Sequence, residues 1–356
     1  MRIPSLRRAE PHRESKPRIP SWLRIGVPTV LLVLVVWFIV VPQFVAAASA
    51  LDSLARISLP LPVTAVALEL ASLLVYSALT SSLLGAESPR YFTLLRIDLT
   101  ALGVNHVLPG GSATSAATRF RLLGKAGVRP ADALTAATIE TTGSNIVLGV
   151  VFAAGIALSL KEFGENDYYV AAASTVLALL VGAALAVWAL TRHTDRSVRA
   201  ARWIARRVPI VTEAGAESVV RTMARRVREL LTDPRRMAVV LSLAVANWLL
   251  DAAALGVLFA AFGHPLGLGP LLTVYGVGSI LALLPITPGG LGIVEGVLVP
   301  ATVAFGAPHS TAVLAVIGWR LLQYWLPIPL SLLAYLSLTL DGAGRRRRSR
   351  GSAPLL

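Results

Sequence analysis

Leu284-Pro285-Ile286-Thr287-Pro288-Gly289-Gly290-Leu291-Gly292-Ile293-Val294-Glu295 is the stretch that decides how this chain is read. It lies in a run from Met237 to Trp319 that contains no Lys or Arg. Two prolines and three glycines break any helix there, and a carboxylate follows within one turn. Hydrocarbon does not tolerate broken backbone, because the freed N–H and C=O groups find no water. A break at membrane depth must be buried in protein or line a wet cavity. In transporters such breaks build the substrate site.

The rest of the composition agrees with a bilayer setting. The chain has 356 residues, 55% of them hydrophobic and 15% charged, with mean hydropathy +0.70. Soluble domains carry about 25% charged residues. Several apolar runs reach the roughly 20 residues that cross a bilayer. The predicted spans are Ile25–Val41, Leu61–Leu84, Ala131–Leu160, Tyr168–Leu190, Met237–Phe262 and Thr311–Leu340. Ala48-Ser49-Ala50 resembles a signal-peptidase site. An uncleaved anchor is the preferred reading of the first span, since every later segment also belongs in the membrane.

The net charge of +14 does not point to nucleic acid. The basic residues sit at the ends of apolar runs, where they act as topology signals. Residues 1–24 read as a basic cytoplasmic tail and 341–356 as a second one. Between the membrane halves 25–190 and 237–340 lies the linker 191–236, with twelve Arg against five acids. In it Val219, Val220, Met223, Val227, Leu230 and Leu231 recur at helical spacing among Arg221, Arg225, Arg226 and Arg228. That is the pattern of a basic amphipathic helix on a bilayer surface or against the bundle.

Charge parity constrains the remaining segments. If 1–24, 112–130, 191–236 and 341–356 are all cytoplasmic, segment 91–111 must enter and leave from the same side. It is predicted to be a re-entrant hairpin turning near Asn105–Gly111. Segment 264–306 becomes a second re-entrant hairpin, dipping from the opposite face. The alternative is that 91–108 spans fully and the basic stretch faces outward.

The two halves echo each other. Leu108-Pro109-Gly110-Gly111 mirrors Thr287-Pro288-Gly289-Gly290. Glu140 follows Pro109 by 31 residues and Arg320 follows Pro288 by 32. Hairpins entering from opposite faces describe an inverted-topology repeat, whose substrate site lies near the midplane. The expected fold is therefore an all-α polytopic membrane protein of about six transmembrane helices and two re-entrant helical hairpins.

Charges inside membrane segments cost about 2.5–3.5 kcal/mol each on insertion scales. Glu69, Asp98, Glu140, Asp251, Glu295 and Arg320 are the candidates. Arg320 could simply pair with Glu295 or Asp251. Five acids against Arg320 and Arg96 cannot all pair, however, so some must be neutral, hydrated or in contact with substrate. Gln323 and Tyr324 lie one turn beyond Arg320. Arg binds phosphate through a planar fork, and a helix starting after Gly290 would add its positive end. Arg320, Glu295, Gly289, Gly290, Gly292, Pro288, Tyr324, Gln323, Asn105, Pro109, Gly110, Gly111, Arg119, Glu140 and Asp251 are the candidate substrate-binding residues. Trp319 and Trp325 are read as packing residues.

These motifs resemble the lysylphosphatidylglycerol synthase transmembrane-region family over about residues 25–340. The likeness rests on Asn105 to Gly111, Arg119, Leu123–Gly127 and Glu140. It continues through Leu284 to Glu295, Gly306 and Arg320 to Tyr324. Gly111-Ser112-Ala113 stands where relatives often have a Gly-Glu pair. The resemblance implies handling of a modified anionic phospholipid or a polyprenyl-linked lipid. The soluble aminoacyl-transferase domain of bifunctional members is missing from this sequence, so lipid aminoacylation is not expected.

The reading is of a bacterial inner-membrane protein, with both termini cytoplasmic, that binds and translocates such a lipid. A membrane-embedded lipid or polyprenyl-phosphate transferase is the enzyme alternative. It is disfavoured because no acid dyad, His cluster or metal motif is evident. A scaffold holding a lipid-synthesis enzyme through the linker is the third. No cysteine is present, and nothing calls for a cofactor.

Overall fold

A computed structural model describes residues 60–108, 111–163, 181, 182, 184–207, 212–283 and 288–351. The first and fourth predicted spans, the N-terminal tail, Pro109, Gly110 and Leu284–Thr287 lie wholly or mostly outside them. Every regular element among the described residues is a helix. In chain order they are α1 (Pro60–Leu84), α2 (Tyr91–Val107), α3 (Gly111–Lys125), α4 (Pro130–Phe163), α5 (Thr194–Ala205), α6 (Glu213–Thr232), α7 (Pro234–Ala261), α8 (Leu268–Ala282), α9 (Ile293–Ala304), α10 (His309–Arg320) and α11 (Pro327–Gly351).

Four stretches are long and apolar enough to span: Pro60–Glu87, Pro130–Leu160, Pro234–Ala261 and His309–Leu340. These are the second, third, fifth and sixth predicted spans. At about 1.5 Å per residue, each exceeds the roughly 30 Å hydrocarbon core. Their surfaces keep large apolar side chains outward, including Leu74, Val150, Leu241, Leu332, Leu333 and Leu336. In water such surfaces would be a liability; against lipid tails they are the natural exterior. Local chemistry marks the boundary at α7, where Asp233 caps the helix by accepting the Arg236 N–H at 3.0 Å and Pro234 opens it.

Shorter helices pair into two hairpins, α2 against α3 and α8 against α9. Their arms have 17, 15, 15 and 12 residues. At helical rise the longest reaches only about 26 Å. The arm that pairs with α2 is α3, which lies within the basic stretch 112–130 and beyond the expected hairpin 91–111. Arg119 on α3 is half-buried and matched by two acids.

Both ends of this hairpin lie at the same end of the bundle. Arg129 bonds to Glu87 at 3.4 Å and to Asp132 at 2.7 Å. Arg226 of α6 reaches Asp132 at 2.8 Å, and Arg236 donates to the Ser82 carbonyl at 3.0 Å. The α1–α2 and α3–α4 connections and the end of the linker are thereby tied together. Within the linker, Arg221 and Arg202 both bond to Glu217 and hold its carboxyl below the ordinary range.

Packing follows a reciprocal scheme. Helix α1 runs against α7, the first arm α8 packs on α4, and the first arm α2 packs on α11. Lipid tails supply no hydrophobic drive between helices, so close approach of small residues carries such contacts. A Cβ at Gly155 would lie 2.6 Å from the Thr273 amide nitrogen, and one at Gly269 would lie 2.7 Å from that of Ser159. Ser159 and Thr273 share a hydroxyl hydrogen bond of 3.2 Å across the same seam. Around Trp319, a dry core forms from Leu255, Phe259, Val294, Leu298, Ala315 and Val316.

Candidate functional site

The break between α8 and α9 is built as its composition demands. Gly289, Gly290 and Gly292 have φ of 58°, 71° and 80°, a region that costs residues bearing a Cβ. Gly289 has a second reason to be glycine, since a Cβ there would sit 2.2 Å from Tyr324 Cε2. Pro288 opens the short helical turn Pro288–Gly290. Helix α9 then starts at Ile293, and its exposed N-terminal end is already occupied. Glu295 Oε2 accepts the Gly292 N–H at 2.7 Å, while Oε1 accepts Arg320 Nε at 2.8 Å.

Arg320 is 2% exposed. Its Nη1 donates to Gln323 Oε1 at 2.9 Å and its Nη2 to the Gly289 carbonyl at 2.8 Å. Gln323 lies three residues on, on the same helical face, within the π-turn Leu321–Trp325, a device common at functional sites. Arg320 thus binds the broken turn, the start of α9 and its own helix in one cluster. Of the two partners considered from sequence, the structure selects Glu295.

The N-terminal motif meets this cluster. Tyr324 OH donates to the His106 carbonyl, His106 Nδ1 lies 3.0 Å from the Tyr324 carbonyl, and the rings stack at 4.4 Å. Helix α2 also touches the Pro288–Gly290 turn. At the tip of the first hairpin a Cβ at Gly111 would meet the Asn105 carbonyl at 2.2 Å. The ends of both hairpins therefore converge.

A second charged cluster sits on the first hairpin. Arg119 Nε bonds to Asp98 Oδ1 at 2.9 Å, and its two terminal nitrogens bond to Glu140 at 3.0 Å each. Nη2 also donates to Thr80 Oγ1 at 2.7 Å, and the guanidinium lies over the Tyr76 ring at 5.5 Å. One arginine joins α1, α2, α3 and α4. Each half thus ties the second arm of its hairpin to the following long helix by an ion pair. The signs are exchanged: base on α3 and acid on α4, then acid on α9 and base on α10.

Beside Arg119 a cavity of about 430 Å³ opens between α1, the first hairpin, α4 and α7. Its polar lining includes Glu69, Asp98, Asn105, Arg119, Asn247 and Asp251. Gln323 also reaches it, linking the cavity to Arg320. Among the described residues no group of three His, Asp or Glu side chains could hold a metal ion.

The sequence profile of the lysylphosphatidylglycerol synthase transmembrane region matches residues 23–331. The chain belongs to this family. UPF0104 membrane proteins of Methanothermobacter thermautotrophicus are similar to it. One alignment shows 34% identity over 104 residues, 29% of this chain and 30% of the relative. Another shows 22% identity over 239 residues, 64% of this chain and 70% of the relative. The first alignment thus spans less than a third of the relative's length.

Within this member of the lysylphosphatidylglycerol synthase transmembrane family, the expected site residues fall into two linked groups. Asn105, Arg119, Asp251 and Gln323 line the cavity, with Glu140 behind Arg119. Arg320, Glu295, Gly289, Gly290, Gly292 and Tyr324 form the second cluster, around the turn that Pro288 opens. Gly111 shapes the first hairpin, and Pro109 and Gly110 lie outside the described residues. The count of unpaired acids changes. Asp98 and Glu140 share Arg119 and Glu295 takes Arg320, which leaves Glu69 and Asp251 without a salt bridge among the described residues. Tyr76, Ser77, Asn247 and Trp248 also line the cavity. They come from α1 and α7, and no local pattern joins them.

Proposed function

We propose that the protein binds and translocates an anionic phospholipid or polyprenyl-linked lipid, whose headgroup enters the cavity beside Arg119. The observation that carries this reading is a largely apolar cavity edged by buried charged side chains, set among helices long and apolar enough to cross a membrane. Buried ionisable groups in membrane segments mark transport pathways. Arg119 is 13% exposed at its side chain and offers the cavity's guanidinium. Asp98 Oδ2 and Ser77 Oγ, buried there without a well-formed hydrogen bond, suit hydroxyl or amino groups of a headgroup. Arg320 joins as a phosphate contact once Glu295 swings away, with Gln323 between the two positions.

The membrane arrangement follows the same reading. The hairpins are re-entrant, the halves form an inverted repeat, and the tied end bearing Arg129, Arg226 and Arg236 faces the cytoplasm. Reciprocal packing of α2 on α11 and α8 on α4 is what a twofold axis in the membrane plane generates. The linker helices then lie at the anionic inner surface of the cytoplasmic membrane.

Single-cysteine labelling tests this topology on a cysteine-free background. Lys125→Cys is expected to react with an impermeant reagent only from the cytoplasmic side, and Ser310→Cys only from outside. Reaction of Lys125→Cys from outside would refute the re-entrant hairpin. Function is tested in proteoliposomes holding headgroup-labelled anionic phospholipid. Protein should expose the inner-leaflet label to an impermeant quencher. Protection of the inner leaflet as complete as in empty vesicles, with both an anionic phospholipid and a polyprenyl phosphate, would favour the transferase or scaffold reading.

A further inference from the structure

Glu69 on α1 and Asp251 on α7 face each other where these two helices pack, and both line the cavity. They are 3% and 9% exposed. Asp251 is well supplied with donors: Trp319 Nε1 reaches Oδ1 at 2.6 Å and Tyr275 OH reaches Oδ2 at 2.9 Å. Glu69 Oε2 has no donor at all among the described residues. One turn along the same seam, Ser72 Oγ donates to the Asn247 carbonyl at 3.0 Å, which sets Glu69 opposite Asp251. Two ionised carboxylates offer each other only acceptors, so a stable pair there calls for a proton. With Asp251 already solvated as an anion by two N–H and O–H groups, the proton belongs to Glu69.

Among the described residues no cation forms a salt bridge with either acid. On the hairpin and α4 sides, Arg119 is committed to Asp98 and Glu140. Tyr76 on α1 and Tyr275 on α8 bring no cation. From α10, Arg320 acts on Asp251 only through space, because its guanidinium is bound to Glu295, Gln323 and the Gly289 carbonyl. Loss of the proton would leave two anions side by side in a low-dielectric site, a state that protein carboxyl pairs avoid by sharing one proton.

We propose that Glu69 and Asp251 form a proton-binding site that exchanges with the cavity and couples headgroup movement to proton movement. The coupling rests on the translocation reading above; the proton site itself does not. In the step, the Glu69 O–H bond breaks, the electron pair stays on Glu69, and the proton passes to cavity water. Entry of a hydrogen-bond-donating headgroup replaces the donor that Glu69 and Asp251 lose. Its departure calls a proton back.

Difference infrared spectroscopy on the purified full-length chain, titrated with pH, tests the site without any lipid assay. A protonated-carboxyl carbonyl band should be present and should disappear as pH rises. Glu69→Gln should abolish it while keeping a donor to Asp251 and the side-chain size. Asp251→Asn should shift its frequency, and Glu229→Gln in the linker should leave it alone. Absence of the band in the parent at every pH, or its survival unchanged in Glu69→Gln, would overturn the proton site. In proteoliposomes, an imposed pH gradient should change the parent's translocation rate at least severalfold and leave Glu69→Gln unaffected. A parent indifferent to the gradient would overturn the coupling. Absence of any lipid movement in the parent would instead defeat the translocation reading and leave the infrared result to judge the site.

Discussion

Arg119→Ala is expected to destabilise the protein by roughly 3–5 kcal/mol, the range found when one partner of a buried ion pair is removed. The guanidinium bonds to Asp98 Oδ1, Glu140 and Thr80 at 2.7–3.0 Å. Alanine would leave Asp98 and Glu140 as like charges facing each other with no cation. The first hairpin, held to α1 and α4 through this residue, should loosen first. Arg119→Lys should recover only part of the loss, because an ammonium is a point charge and cannot fork to two acids. Arg119→Met combined with Asp98→Asn and Glu140→Gln removes the whole charge set and should recover most of the stability. It should not recover lipid movement, since the cavity then lacks its cation. Thermal unfolding in detergent reads the first effect and labelled-lipid translocation the second. An Arg119→Ala variant that unfolds at the parent's temperature would show that the network does not hold the hairpin.

Arg320→Lys and Glu295→Gln are expected to lower translocation strongly while leaving a folded protein. Arg320 makes three directed bonds from three nitrogens. Lysine can keep the pair with Glu295 but has no rigid fork to hold the Gly289 carbonyl and Gln323 together. Glu295→Gln keeps an acceptor for the Gly292 N–H yet removes the charge that balances Arg320. If Glu295 must release Arg320 to a lipid phosphate, both changes alter that exchange directly. An ion pair that only braces the fold should tolerate Lys far better. Arg320→Ala would leave Glu295 unpaired and confound stability with function, so it is the weaker experiment. Should both conservative variants fold and move lipid like the parent, the Arg320 and Glu295 assignment would be wrong.

The Arg119 case also shows what charge parity along a sequence does not see. Arg119, Arg121, Lys125 and Arg129 form a run without an acid, and such runs ordinarily stay in water. Arg119 is half-buried all the same, because Asp98 and Glu140, each 21 residues away, neutralise it. Helix α2 pairs with α3 beyond the expected hairpin 91–111. In the second half, Gly289, Gly290 and Gly292 announce a break through backbone chemistry that acts within a few residues. Glu295 is one of two partners the sequence offers Arg320, and the pair forms.

The sequence by itself determined the membrane setting, four of the long helices described here, the position of the Gly-rich break and the family. Those are properties of length, hydropathy and local backbone freedom, which neighbouring residues decide together. Only the tertiary structure decided which acid meets which base, and therefore which acids are left over. Asp251 looked like a partner for Arg320 but is taken by Trp319 and Tyr275, while Glu69 is left facing it across the α1–α7 seam. Complementarity between helices far apart in the chain depends on their rotation and depth in the bundle. Those are set by small-residue contacts such as Gly155 against Thr273, where the identity of one side chain has meaning only once the opposite helix is in place.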